Sequence, residues 1–118
     1  MKEIIFNNIK YIVGVNAKEN WDLLDHYKKI DDEYIWFHLN SFASCYVIMC
    51  YNIKLNNDNL EEDIIKEILY FGGDICKNNT KYKNVPNIKI CYTELKKLNK
   101  TNKIGEVIVS GKKKLLTI

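Results

Sequence analysis

The chain has no arginine and no glutamine, and among its 118 residues there are one proline, five glycines, two histidines and four cysteines. Each shortage closes off some chemistry. All 18 basic residues are lysines, so the basic side chains act as point charges and cannot make the planar two-pronged contacts of a guanidinium to phosphate or guanine. With one proline, 47% hydrophobic and 28% charged residues, the composition is that of a folded globular protein, not a disordered tail. No stretch approaches the roughly 18 consecutive apolar residues of a membrane span, and Met1-Lys2-Glu3 does not begin a signal-peptide core. The expectation is a soluble, cytoplasmic protein with no membrane partner. The abundance of lysine, asparagine and isoleucine matches AT-rich codons; were the source a large DNA virus, the compartment would be the host cytoplasm.

Metal and catalytic patterns are also missing. His26 and His38 form no His-x-x-x-His pair, and Cys45, Cys50, Cys76 and Cys91 include no Cys-x-x-Cys, so a zinc site lacks its usual spacing and buried free thiols are expected. Asp31-Asp32-Glu33 reads as a solvated turn, because a cation cage draws ligands from more than one place. Gly72-Gly73 lacks the further glycines and Lys-Ser/Thr of a phosphate loop. His38 with Ser44 or Cys45 has no recognisable nucleophile elbow or oxyanion loop around it. We therefore expect no catalytic residue, no metal and no cofactor.

What is present is a charge polarity. Residues 1–76 hold seven lysines against thirteen acids, whereas residues 77–118 hold eleven lysines against Glu94 and Glu106. A basic half of this kind suits an anionic partner or makes a solvated lysine face.

The length fits one domain over 1–118. Residues 3–6 and 11–15 predict a hairpin about Asn7-Asn8. Asn16 with Glu19 gives a capping-box pattern for a helix ending near Lys28-Lys29. Segments 34–39 and 45–51 alternate as strands, with Ile35, Phe37 and Leu39 on the core face and Tyr34, Trp36 and His38 on the other. A longer helix follows, with Asn59 as candidate cap and Ile64, Ile65, Ile68, Leu69, Ile75 and Cys76 at helical spacing; Gly72-Gly73 either breaks it or marks close packing on a sheet, and close packing is the favoured reading. Strands are expected at 87–93, with Ile88 and Ile90 inward, at 106–110 and at 114–118, the last two as a hairpin about Gly111-Lys112-Lys113. The expected fold class is α+β, a mostly antiparallel sheet of about five or six strands packed with two helices.

Trp36 and His38 project together, and Tyr46 projects beside them if the next strand pairs in that register. Aromatic rings on a sheet bordered by lysines are the parts needed to stack unpaired bases. The other reading is that a helix covers this face and the rings are packing.

The ordered segments resemble those of the NFACT-R domain, the RNA-binding module of the NEMF and RqcH ribosome quality-control proteins, over nearly the whole chain. Gly14-Val15-Asn16-Ala17-x-x-Asn20-x-x-Leu23 is similar to the family's Gly-Arg-Asn-Ala-x-x-Asn-x-x-Leu, and Ile35-Trp36-Phe37-His38 to its Leu-Trp-Phe-His core. Ser44-Cys45-Tyr46-Val47 falls where the family has Gly-Ser-His-Val, Val85 to Thr93 resembles its Val-x-Val-x-Tyr-Thr strand, and Gly105-Glu106-Val107 its Gly-x-Val. Two positions depart: Val15 replaces an arginine and cannot contact phosphate, and Tyr46 replaces a histidine while still able to stack and hydrogen-bond. The resemblance covers the module alone and does not extend to the tailing of nascent chains by larger relatives.

The resemblance implies a non-catalytic module binding structured RNA, tRNA or ribosomal RNA, through Asn16, Asn20, Trp36, His38, Ser44 and Tyr46. Lys96, Lys97, Lys100, Lys103, Lys112 and Lys113 would contact phosphate. Five such contacts to a single strand correspond to a salt slope of about −3.5. The alternative is a protein-interaction adaptor or decoy docking a ribosome-associated or quality-control protein. The two readings differ in whether Trp36 and Tyr46 lie open beside the lysines or sealed beneath a helix.

Overall fold

The computed structural model describes residues 1–56 and 61–118. Asn7 and Asn8 both take positive φ (51° and 62°), as a two-residue type I′ turn requires, and join β1 (Lys2–Phe6) directly to β2 (Ile9–Val13) with Phe6 opposite Ile9. The tight turn starts the second strand two residues earlier than expected and leaves Gly14 and Val15 outside it. α1 (Ala17–Ile30) begins with the expected capping box: the Glu19 amide donates to Asn16 Oδ1 at 2.9 Å, and Glu19 Oε1 accepts the Val15 N–H at 3.1 Å.

β3 (Ile35–Leu39) and β4 (Val47–Met49) follow; β4 is shorter than the expected 45–51 segment. After a single turn, α2 (Ile53–Asn56), comes α3 (Glu62–Asn78), with Glu62 and Asp63 in its first turn. Asn59, the expected cap, lies outside the described residues. The chain then forms β5 (Lys89–Glu94), a 3-10 turn (Leu95–Lys97), β6 (Leu98–Lys100), β7 (Val107–Val109) and β8 (Lys114–Thr117).

Six antiparallel strands form the main sheet in the order β1-β2-β4-β3-β5-β8, so the class is α+β as expected. The expected hairpin of 106–110 with 114–118 does not form. β7 instead pairs with β6, Val109 opposite Leu98, as a separate two-stranded flap, and β8 pairs with β5 at the sheet edge. The segment about Gly111-Lys112-Lys113 is thus a connector between two sheets. β6 was missed because Leu98-Asn99-Lys100 is too short to show alternation.

Both faces of the sheet are covered. On one, Tyr11, Val13, Ile35, Phe37, Leu39, Val47, Met49 and Ile90 pack against Ile68, Leu69, Ile75 and Cys76 of α3. The Tyr11 hydroxyl donates to the Ile68 carbonyl at 2.7 Å, and burial holds its phenol well above the usual range. On the other face, Ile12, Trp36, Tyr46, Ile48 and Cys91 pack against Leu23, Leu24 and Tyr27 of α1 and Leu95 and Leu98 beside the flap. Cys45 and Cys50 pack on opposite faces of the sheet, and all four thiols are free.

α3 runs unbroken through Gly72-Gly73 because the sheet presses on it there. A Cβ at Gly72 would lie 2.4 Å from the Phe37 ring, which is fully buried and has nowhere to go. At Gly73 the nearest obstacle is the far end of the Ile118 side chain at 2.9 Å. Gly72→Ala is therefore expected to destabilise by about 1–3 kcal/mol through overpacking, exceeding a helix-propensity gain of about 1 kcal/mol. Gly73→Ala should be neutral or stabilising; equal denaturant midpoints for the two variants would contradict this packing.

Candidate nucleic-acid interface

Where the flap meets the N-terminus of α1 and the β3–β4 loop, three cavities run end to end. The first, about 360 Å³, is lined by Trp36, His38, Asn40, Tyr46, Gly105 and Lys113, among others. The second, about 410 Å³, shares His38, Gly105 and Glu106 with it and adds Asn16, Asn20, Ser44 and Lys103. The third shares Ala43 and Ser44 with the second and adds Phe42, Lys81 and Tyr82. The result is a trough from Lys113 past Lys103 to Lys81.

The flap is held over this trough by one short chain of contacts. Gly14 leaves space that the Asn20 side chain fills: a Cβ at position 14 would lie 2.0 Å from Asn20 Oδ1. That oxygen accepts the Tyr46 N–H at 3.3 Å, and the Tyr46 hydroxyl donates to the Gly105 carbonyl at 2.5 Å. Gly105 has φ +86° and presses on Ala17, where a Cβ would be 2.7 Å from the Ala17 methyl. Trp21 Nε1 adds a bond to the Glu106 carbonyl at 3.3 Å.

This arrangement revises the expected roles. Asn20, Trp36 and Tyr46 are buried, at 5%, 3% and 1% exposure, so they do not form an open stacking platform. The cause is the flap and α1 closing over that sheet face. Tyr46 is a strut, its phenol pushed up to about 12 by burial. Asn16 caps α1 while remaining exposed at the trough edge, and Ser44 Oγ accepts the Leu39 N–H at 3.0 Å, also on the trough wall.

The lysines divide as well. Lys96 pairs with Glu33 at 2.5 Å, Lys97 with Glu94 at 3.6 Å and Lys100 with Asp25 at 2.8 Å. Lys112 lines a different cavity, about 260 Å³, on the α3 side with Lys54, Lys97 and Lys114. Of the six expected contacts, Lys103 and Lys113 reach the trough, and neither has an ion-pair partner among the described residues. The trough residues that the sequence reading missed are Asn40, Phe42, Lys81 and Tyr82. Phe42 is 44% exposed and stacks on Tyr82 with centroids 4.4 Å apart, and Lys81 Nζ lies 5.4 Å from the Tyr82 centroid. An aromatic between two lysines, Lys81-Tyr82-Lys83, was the available signal.

His38 sits at the junction of the first two cavities. Its Nδ1 lies 2.7 Å from the Leu39 carbonyl oxygen, which can only accept, so in the neutral ring Nδ1 carries the proton and Nε2 is the acceptor. The Trp36 indole lies parallel to the ring, centroids 5.4 Å apart. Burial holds the imidazole below its ordinary pKa of 6.5; the Leu39 carbonyl opposes this and the Lys113 charge adds to it.

A histidine whose folded pKa is depressed stabilises the fold above its unfolded value and loses that contribution as pH falls through the folded one. The melting temperature should therefore fall as pH drops below 6.5, and His38→Phe should flatten this part of the profile. A profile below pH 6.5 that the variant leaves unchanged would contradict the assignment.

The family model described as "NFACT protein RNA binding domain" matches residues 6–115. No curated protein matches the chain significantly. Among solved structures, the C-terminal part of the fibronectin/fibrinogen-binding protein from Streptococcus suis is similar at TM-score 0.78 and 21% identity, covering 98% of this chain and 44% of that one. At that identity the likeness shows the fold. The chain spans less than half the length of that structure.

Proposed function

The chain belongs to the family of NFACT protein RNA-binding domains, and from that premise we propose that it is a cytoplasmic, non-catalytic module that binds structured RNA of the translation machinery, tRNA or ribosomal RNA, in ribosome quality control. The observation that carries the site is the row of three neighbouring cavities with shared walls, lined among others by Lys113, His38, Lys103, Ser44, Phe42 and Lys81. Each of the three cavities has a lysine in its lining, and Phe42, 44% exposed and stacked on Tyr82, is a ring within reach of an unpaired base. The N-terminus of α1 beside Asn16 adds partial positive charge to one wall.

Only three lysines of the trough, Lys81, Lys103 and Lys113, are without an ion-pair partner among the described residues, which reduces the expected salt dependence. Binding of a fluorescent single-stranded RNA should follow a log–log slope of about −2. Replacing Lys81, Lys103 and Lys113 together by alanine should flatten it, whereas Lys100→Ala should leave it in place. Phe42→Ala should weaken binding by about 1–3 kcal/mol. No binding at low salt, or a slope indifferent to the triple replacement, would overturn the reading. The burial of Trp36 and Tyr46 is the observation that favours the second reading, a protein-docking adaptor, in which Val15, Phe42 and Ile104 are exposed contacts for a ribosome-associated protein. Failure of RNA binding would leave that reading standing.

A further inference from the structure

The first cavity carries unmatched hydrogen-bonding atoms of a particular kind. His38 Nε2 has no partner among the described residues and is fixed as an acceptor by the bond from Nδ1 to the Leu39 carbonyl. Two other lining residues hold buried polar atoms without partners: Trp36 Nε1, a donor, and Asn40 Oδ1, an acceptor. Buried polar groups in folded proteins are almost always paired, so the Trp36 and Asn40 atoms call for a partner, and His38 Nε2 adds an acceptor to the same lining. The volume, about 360 Å³, lies within the range of sites that take small organic groups. Glu106 lines this cavity and the next, and its carboxylate disfavours phosphate there, while Lys113 and Lys103 provide for phosphate on either side.

We propose that the His38 cavity takes one unpaired nucleobase bearing an exocyclic amino group, which donates to His38 Nε2 and Asn40 Oδ1 while an acceptor on the same edge receives the Trp36 indole N–H. The inference rests on the trough being the RNA site and adds which bases it admits. Cytosine supplies the set through its amino group and adjacent ring nitrogen. Uracil presents one N–H between two carbonyl oxygens, so one protein acceptor would face a carbonyl. The indole nitrogen and the amide oxygen lie below the solvent-accessible surface, so the base enters as the flap lifts about the Tyr46–Gly105 and Trp21–Glu106 bonds.

The test compares oligocytidylate with oligouridylate of equal length by fluorescence anisotropy at low salt and neutral pH. Pyrimidines of equal size isolate the amino group. Oligocytidylate should bind about tenfold more tightly, the discrimination one well-placed base contact provides. His38→Phe, which keeps a ring and removes the acceptor, should bring the two affinities within about twofold of each other. In the unaltered protein, the nitrogen-15 resonance of His38 Nε2 should move upfield with oligocytidylate and not with oligouridylate. This readout needs no variant to fold. Equal affinities with persistent salt-dependent binding would overturn the base cavity and leave the RNA reading intact; no binding of either oligomer would overturn both.

Discussion

Asn20 is a polar side chain inside a protein, and what surrounds it decides how one face of the sheet is built. Gly14 makes room for it, and the Tyr46 amide supplies its buried oxygen with a donor. Through that bond α1 is fixed to the start of β4, and through the Tyr46 hydroxyl the same residue reaches the flap at Gly105. Desolvating an amide without a partner costs about 1–3 kcal/mol, so each element that satisfies Asn20 or Tyr46 is held in its place by the alternative. The motif residues that look like a recognition signature thus do structural work first. Gly14, Asn16, Ala17, Asn20 and Leu23 seat the helix, and the cavities lie in the space the flap leaves as it rests on Ala17 and Tyr46.

The charge polarity of the sequence has a related explanation. Acids of the first half take up lysines of the second: Glu33 binds Lys96, and Asp25 binds Lys100. Glu33 also binds Lys54, which reaches across to Glu94. Exposed pairs of this kind contribute at most about 1 kcal/mol each, yet they remove those lysines from the charge offered to a polyanion. Of the lysines without an ion-pair partner among the described residues, Lys81, Lys103 and Lys113 line the trough, while Lys112 and Lys114 line the cavity on the α3 side.

Much of this was legible in the sequence and some was not, for separable reasons. The alternation of Ile35, Phe37 and Leu39 identified the α3-facing core because a strand with a period of two must send these side chains one way. The same alternation grouped Trp36 with His38 correctly but carried no information on whether a second layer covered them. That layer includes β6, three residues that are too short for any periodic signal, and β7, whose strand is expected at 106–110 but whose partner is β6 and not β8. The Asn16–Glu19 cap followed from local chemistry, and the glycine pair at 72–73 signalled the close approach of the sheet at Phe37. The ion pairs did not, since Glu33 and Lys96 are far apart in sequence and meet only through the pairing of β3 with β5. Phe42 and Tyr82 were passed over because both lie in irregular segments, where no pattern marks a side chain as exposed.

In the proposed function the flap-covered trough, and not the α3 side of the domain, meets RNA. Amide chemical-shift mapping during titration with an RNA stem–loop addresses it most directly. The account predicts shifts concentrated at Asn16, His38, Phe42–Ser44, Lys81, Lys103–Glu106 and Lys113. Shifts centred instead on Lys54, Lys97, Lys112 and Lys114, around the cavity on the α3 side, would contradict it.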